Sequence, residues 1–128
     1  MLMSSSILGS ENQVEIYRGA SKIFELEVLD MNNNPVNLTG ARVIMTVKCA
    51  VSAVASLIQK DSDVGTSQVD IVAPREGKAE IKFVPSDTQT LDAGSYIFDV
   101  WVVLSSGSRN PVILPSVFLV KAGVTVLT

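Results

Sequence analysis

Among its 128 residues the chain has no histidine and a single cysteine, Cys49. Lack of histidine removes the usual general base near neutral pH and the commonest metal ligand. One cysteine excludes an intrachain disulfide. Together these absences leave none of the usual ligand sets for zinc, haem or iron–sulfur clusters, so no metal or other cofactor is expected. Charge is also scarce, at 18% of residues against roughly 25% in an average soluble domain. Ten Lys+Arg stand against thirteen Asp+Glu, giving a net charge of −3. With no basic cluster among them, a nucleic-acid partner is not expected. The longest apolar runs fall short of the roughly 18 residues that a spanning helix needs, so no membrane partner is expected either. The first ten residues, MLMSSSILGS, lack the basic start and long apolar centre of a secretory leader. The expected setting is the cytoplasm, or an assembly built there.

Catalysis is poorly provided for. Without histidine, a nucleophile would need a tuned carboxylate or lysine as its base. Acids such as Glu25, Glu27 and Glu80 instead alternate with apolar residues, as on a solvated sheet face. No S-x-x-K segment sits on a helix, and the eight glycines fall singly at turns rather than in a phosphate-cradling loop. The chain reads as a non-enzyme with no small-molecule substrate. Asp61-Ser62-Asp63-Val64-Gly65-Thr66 has oxygen ligands and a glycine in the manner of a calcium loop, with Asp70 as one further ligand. It lacks the closing bidentate Glu and flanking helices, which favours a solvated turn.

What is abundant is alternation. Phe24, Leu26 and Val28 share one face of Lys22–Leu29; Val43, Met45 and Val47 share one face of Ala41–Lys48; Ala79, Ile81 and Phe83 share one face of Lys78–Val84. A period of two marks half-buried strands. Shorter runs at Gln13–Tyr17 and Gln68–Val72 repeat it. Turn residues follow at Asp30–Pro35, Pro74–Gly77 and Ser105–Asn110. Pro111–Val120 reads as a strand that Pro115 turns into an edge or bulge, and Val124–Leu127 as a last short one. Cys49–Gln59 is ambiguous: Ala50, Val54 and Ile58 fit a helical stripe, whereas the flanking strands favour a loop or edge and then a strand around Ser56–Lys60. Cys49 is expected to be buried or half-buried. Ser86 and Asp87 are candidate caps for one short helical turn near residues 86–91.

Asp92, Gly94 and Tyr96 have the spacing of a tyrosine corner, in which a Tyr entering a central strand bonds back to the turn before it. With about eight or nine strands at 8–12-residue spacing, the predicted fold is all-β, an antiparallel immunoglobulin-like β-sandwich. Residues 1–12 read as a flexible arm, which either frays or orders on a neighbouring subunit, and residues 13–128 as a single domain.

The strand after the corner has an unusual outer face. Tyr96, Phe98 and Val100 point to the core, which leaves Ile97, Asp99, Trp101 and Val103 outside. Such a face should be polar on a free sandwich. Either an insertion or the N-terminal arm covers it, or it is a subunit interface, where Trp is enriched. Asp99 would then bond Arg or Lys from a neighbour. The low overall charge fits a partly covered surface, and equally a monomer with a Ser/Thr/Asn surface.

Arg18-Gly19, Leu29-Asp30, Pro35-Val36-Asn37-Leu38-Thr39-Gly40, Gly77 and the series Leu91, Gly94, Tyr96, Phe98-Asp99 occur in that order. This set resembles the N-terminal domain of phage baseplate upper proteins, and the resemblance runs from about Tyr17 to Leu104. It implies a structural role in the virion of a tailed phage and carries over no catalytic residue. The chain ends soon after the sandwich, so the receptor-holding part of those proteins is not expected. A tail, baseplate or neck adaptor or a capsid decoration subunit remains, with other virion proteins and copies of itself as partners. The alternative is a carbohydrate- or receptor-binding module that uses Trp101 or Tyr17.

Overall fold

Alternation along the chain becomes two facing sheets. The computed structural model describes residues 3–7 and 13–124. Its strands are β1 (Met3–Ile7), β2 (Val14–Tyr17), β3 (Lys22–Asp30), β4 (Arg42–Lys48), β5 (Ile58–Asp61), β6 (Val69–Ala73), β7 (Lys78–Phe83), β8 (Gly94–Val103) and β9 (Arg109–Lys121). One sheet has the order β1-β3-β7-β6 and the other β2-β9-β8-β4-β5. Phe24, Leu26, Val28, Ile81 and Phe83 of the first face Val43, Met45, Val47, Phe98, Val100 and Phe118 of the second, all buried. This is the immunoglobulin-like sandwich that the pattern predicts.

Three features depart from the expectation. Within the expected arm at 1–12, Met3–Ile7 forms a strand antiparallel to β3. The unpaired N–H and C=O groups on the edge of β3 offer it a ladder, which outweighs the low strand preference of its serines. Residues 1–2 and 8–12 lie outside the described residues, as do residues 125–128 of the expected last strand. One pairing is parallel rather than antiparallel: β2 runs alongside the end of β9, Val14 opposite Phe118 and Tyr17 opposite Lys121. Cys49 is exposed, because β4 ends at Lys48 and a turn closed by Ala53 N–H to the Ala50 carbonyl follows at once. The ambiguous stretch is this loop and then β5, with no helix.

The corner forms as the spacing predicts. Tyr96 Oη donates to the Asp92 carbonyl at 2.6 Å, and Gly94 opens β8 opposite Val120. The short helix α1 (Pro85–Thr88) precedes it. Asp87 caps this turn by accepting from the Val84 N–H at 2.8 Å. Thr88, fully buried, accepts from the Gly19 N–H at 2.9 Å. The crossing between sheets is thus tied to the turn that ends β2. On β9 the register slips twice against β8, around Leu114–Pro115 and at Val112. Each slip absorbs one extra residue on β9, so Val112 and Ile113 are both buried. Pro115 therefore sits at a bulge, where its missing N–H interrupts no regular ladder.

Gly77 ends the 3₁₀ turn Pro74–Glu76 in left-handed backbone, φ +68°. A Cβ there would lie 2.4 Å from the Val28 carbonyl oxygen and 3.1 Å from that of Val36. Replacing Gly77 with Ala should therefore cost about 2–4 kcal/mol, combining backbone strain with a clash against backbone that cannot yield. The check is a fall in the urea midpoint at constant slope; an unchanged midpoint contradicts this packing. Tyr96→Phe, which deletes one hydrogen bond and little volume, should cost only about 0.5–1.5 kcal/mol.

Candidate assembly face

β8 lies between β4 and β9, so its outward side chains sit at the centre of a broad sheet face. Register fixes the neighbours. Ile97 is opposite Lys48 and Val117; Asp99 is opposite Thr46; Trp101 is opposite Ile44 and Pro111. Apolar residues thus run across three strands rather than along one. Val51 from the β4–β5 loop and Pro115 from the β9 bulge border a groove of about 340 Å³ over this face. Trp101 is 39% exposed, as is Val117, and Val51 is 67% exposed.

Three of the four predicted interface residues, Ile97, Asp99 and Trp101, line this groove. Val103 does not. It is half-buried at the end of β8, between Arg42 and Arg109. The corner residues Asp92, Gly94 and Tyr96 stand at or before the opposite end of β8. No described part of the expected arm covers the face, since Met3–Ile7 pairs in the other sheet. The β4–β5 loop borders the groove and leaves the indole partly open.

Asp99 has a partner on its own strand. Its Oδ2 accepts from Trp101 Nε1 at 3.1 Å, which fixes the indole against the sheet. Two residues apart on one strand, these side chains share a face, so their pairing was readable from spacing. Gln59 Nε2 donates to Thr46 Oγ1 at 3.3 Å nearby. Among the described residues neither Asp99 nor Lys48 forms an ion pair.

Other polar groups serve the scaffold. Lys60 is 5% exposed. Its Nζ lies 2.8 Å from Asp87 Oδ2 and 5.4 Å from the centre of the Phe83 ring. This contact links edge strand β5 to α1. Its signal was the i, i+2 relation to buried Ile58, which turns Lys60 inward. Asp61 is also buried, at the end of β5, whereas Asp63, Val64 and Thr66 of the following turn are exposed as expected. Arg42 grips it through both Nε (3.0 Å to Oδ1) and Nη2. Asp61 also accepts from the Asp63 N–H at 3.0 Å, and its own N–H donates to Gln68 Oε1 at 3.1 Å. The loop after β5 is closed by this pair. Asp70 lies elsewhere, on β6, 3.9 Å from Lys82. Among the described residues no three His, Cys, Asp or Glu are placed to hold a metal ion, and no helix is long and apolar enough to cross a membrane.

The Arg42 hydrogen bonds hold the Asp61 carboxyl below its ordinary value of 3.8, outweighing the burial that pushes it up. A carboxylate with a depressed folded pKa stabilises the fold above its unfolded pKa. That contribution is lost as pH falls through the folded value. Stability should therefore decline below about pH 4, and Asp61→Asn should flatten that part of the decline. Urea unfolding across pH 2–6 checks this (about 2–6, spanning the carboxylate range); equal acid slopes in both chains contradict it.

No family model matches the sequence, and no curated protein matches it. Among solved structures the chain is similar to the Lin-41 filamin domain, at a TM-score of 0.51 and 15% identity, with 93% of each chain covered. CopC from Methylosinus trichosporium OB3b follows at 0.49 and 13% identity, covering 90% of this chain and 89% of that one. Murine CRIg stands at 0.48 and 13%, covering 96% and 99%. At these identities the likeness is one of fold, and the filamin domain places the chain among immunoglobulin-like sandwiches.

Proposed function

We propose that this chain is a non-enzymatic structural subunit that works through protein–protein contact on the outer face of its five-stranded sheet. The observation that carries this reading is the Trp101 groove. A solvated sheet face would alternate to polar residues outside. Here Ile44, Ile97, Trp101, Pro115 and Val117 stand there instead, with few charges among them. A rigid aromatic in an apolar surround, rimmed by polar groups, is the usual make-up of an energetic centre in a protein interface.

The setting we propose is the virion of a tailed phage, as a tail, baseplate or neck adaptor or a capsid decoration subunit. Support comes from the order and spacing of the turn and corner motifs between Tyr17 and Leu104. Their roles in the fold fit that reading: Gly19 ends β2, the Pro35–Gly40 stretch follows β3, and Gly77 precedes β7. A second reading, a carbohydrate- or receptor-binding module, draws on a different trait of the same groove. Asp99, Thr46 and Gln59 put hydrogen-bonding groups beside the Trp101 ring, and such rings stack on sugars.

In phage particles purified from lysates, the wild-type chain should sediment with the particle, detected by mass spectrometry. The Trp101→Ala chain should fold yet be at least about tenfold depleted, equivalent to about 1.4 kcal/mol of contact energy. A wild-type chain absent from particles contradicts the virion setting. Glycan-dependent quenching of Trp101 in that case favours the second reading.

A further inference from the structure

We infer that the partner on this face is a second copy of the same chain, docked across a two-fold axis so that Lys48 of each copy meets Asp99 of the other. The inference rests on the reading that the face is a protein interface, and it names the occupant. Its ground is the pair of charges that the groove leaves without counter-ions. Lys48 and Asp99 both line it, one of each sign, on neighbouring strands β4 and β8. Register makes them diagonal neighbours: Lys48 is opposite Ile97, and Thr46 is opposite Asp99. That diagonal separates backbones by roughly 7–8 Å, and no ion pair forms between them within the chain.

A two-fold interface is isologous: if residue i meets j, then j meets i. One lysine and one aspartate flanking an apolar centre satisfy that condition with nothing left over. The axis lies in the plane of contact and runs above the other diagonal, over Thr46 and Ile97. Both ion pairs then form at once, beside the exposed Trp101 indole. A strongly acidic or basic partner would meet one matching and one opposing charge.

Sedimentation velocity of the full chain, from about 1 to about 500 µM, spans the range in which a modest interface reveals itself. The wild-type chain should show a concentration-dependent monomer–dimer equilibrium. Lys48→Glu and Asp99→Lys should each weaken dimerisation by at least about tenfold, since each places like charges together twice per dimer. The double variant K48E/D99K, with the pairs reversed, should recover most of that loss. Circular dichroism on each variant establishes that the sandwich is intact. A wild-type chain that stays monomeric throughout overturns the second-copy inference. If Trp101-dependent incorporation into particles persists in that case, the interface reading stands and only its occupant is wrong. A dimer indifferent to both single changes, or folded single variants that the double change does not rescue, also overturns it.

Discussion

Four phenylalanines hold the two sheets together. They are all the phenylalanines in the chain, and they form one continuous series through the core. Phe24 meets Phe83 edge-on at 5.6 Å; Phe83 meets Phe118 at 5.5 Å; Phe118 meets Phe98 at 6.3 Å. The first two belong to the four-stranded sheet and the last two to the five-stranded one, so the Phe83–Phe118 contact spans the sandwich. Deleting a ring of this kind costs about 3–5 kcal/mol, a large share of the roughly 5–15 kcal/mol by which a domain is stable. Other features act from around this series. Lys60 lies over the Phe83 ring and bonds Asp87 in the helical turn, and the tyrosine corner follows that turn into the strand that carries Phe98.

The same constraint sets the functional reading. A strand that gives alternate residues to the core shows the rest to the outside, and β8 gives Phe98, Val100 and Val102. Its outward residues are then free of any duty to the fold, apart from the Trp101–Asp99 bond. The apolar ones, Ile97 and Trp101, are therefore unexplained by the sandwich itself, and they are the ground for proposing a protein partner on this face. The β1 strand, which could have covered them, is engaged on the opposite sheet by the open edge of β3.

Much of this was legible in the sequence where one local rule governs. Period-two runs located β3, β4, β7 and β8 to within a residue or two, because burial on one face is a local pattern. Asp92, Gly94 and Tyr96 gave the corner, and Pro115 gave the bulge, because each residue type has few backbone alternatives. Features that depend on distant partners were hidden. Met3–Ile7 is a strand only because β3 lies beside it. The parallel pairing of β2 with the end of β9 joins residues about a hundred positions apart, and no local pattern records it. Asp61 looked like a turn residue because its partner, Arg42, arrives from another strand. At the candidate face the outward set was readable from alternation, whereas the groove was not. It needs Val51 and Pro115 from two other segments, and Val103 falls outside it because it stands at the end of its strand.

The central claim is that the Trp101 face is covered in the working state. Trp101 is the only tryptophan, so its fluorescence reports on that face alone. Acrylamide quenching of the full chain should be strong at high dilution, where the indole is partly exposed. It should fall several-fold, with a blue shift in emission, as concentration rises or as the chain is incorporated into particles. Quenching that stays constant in every state would mean that the face remains bare, and would contradict the account.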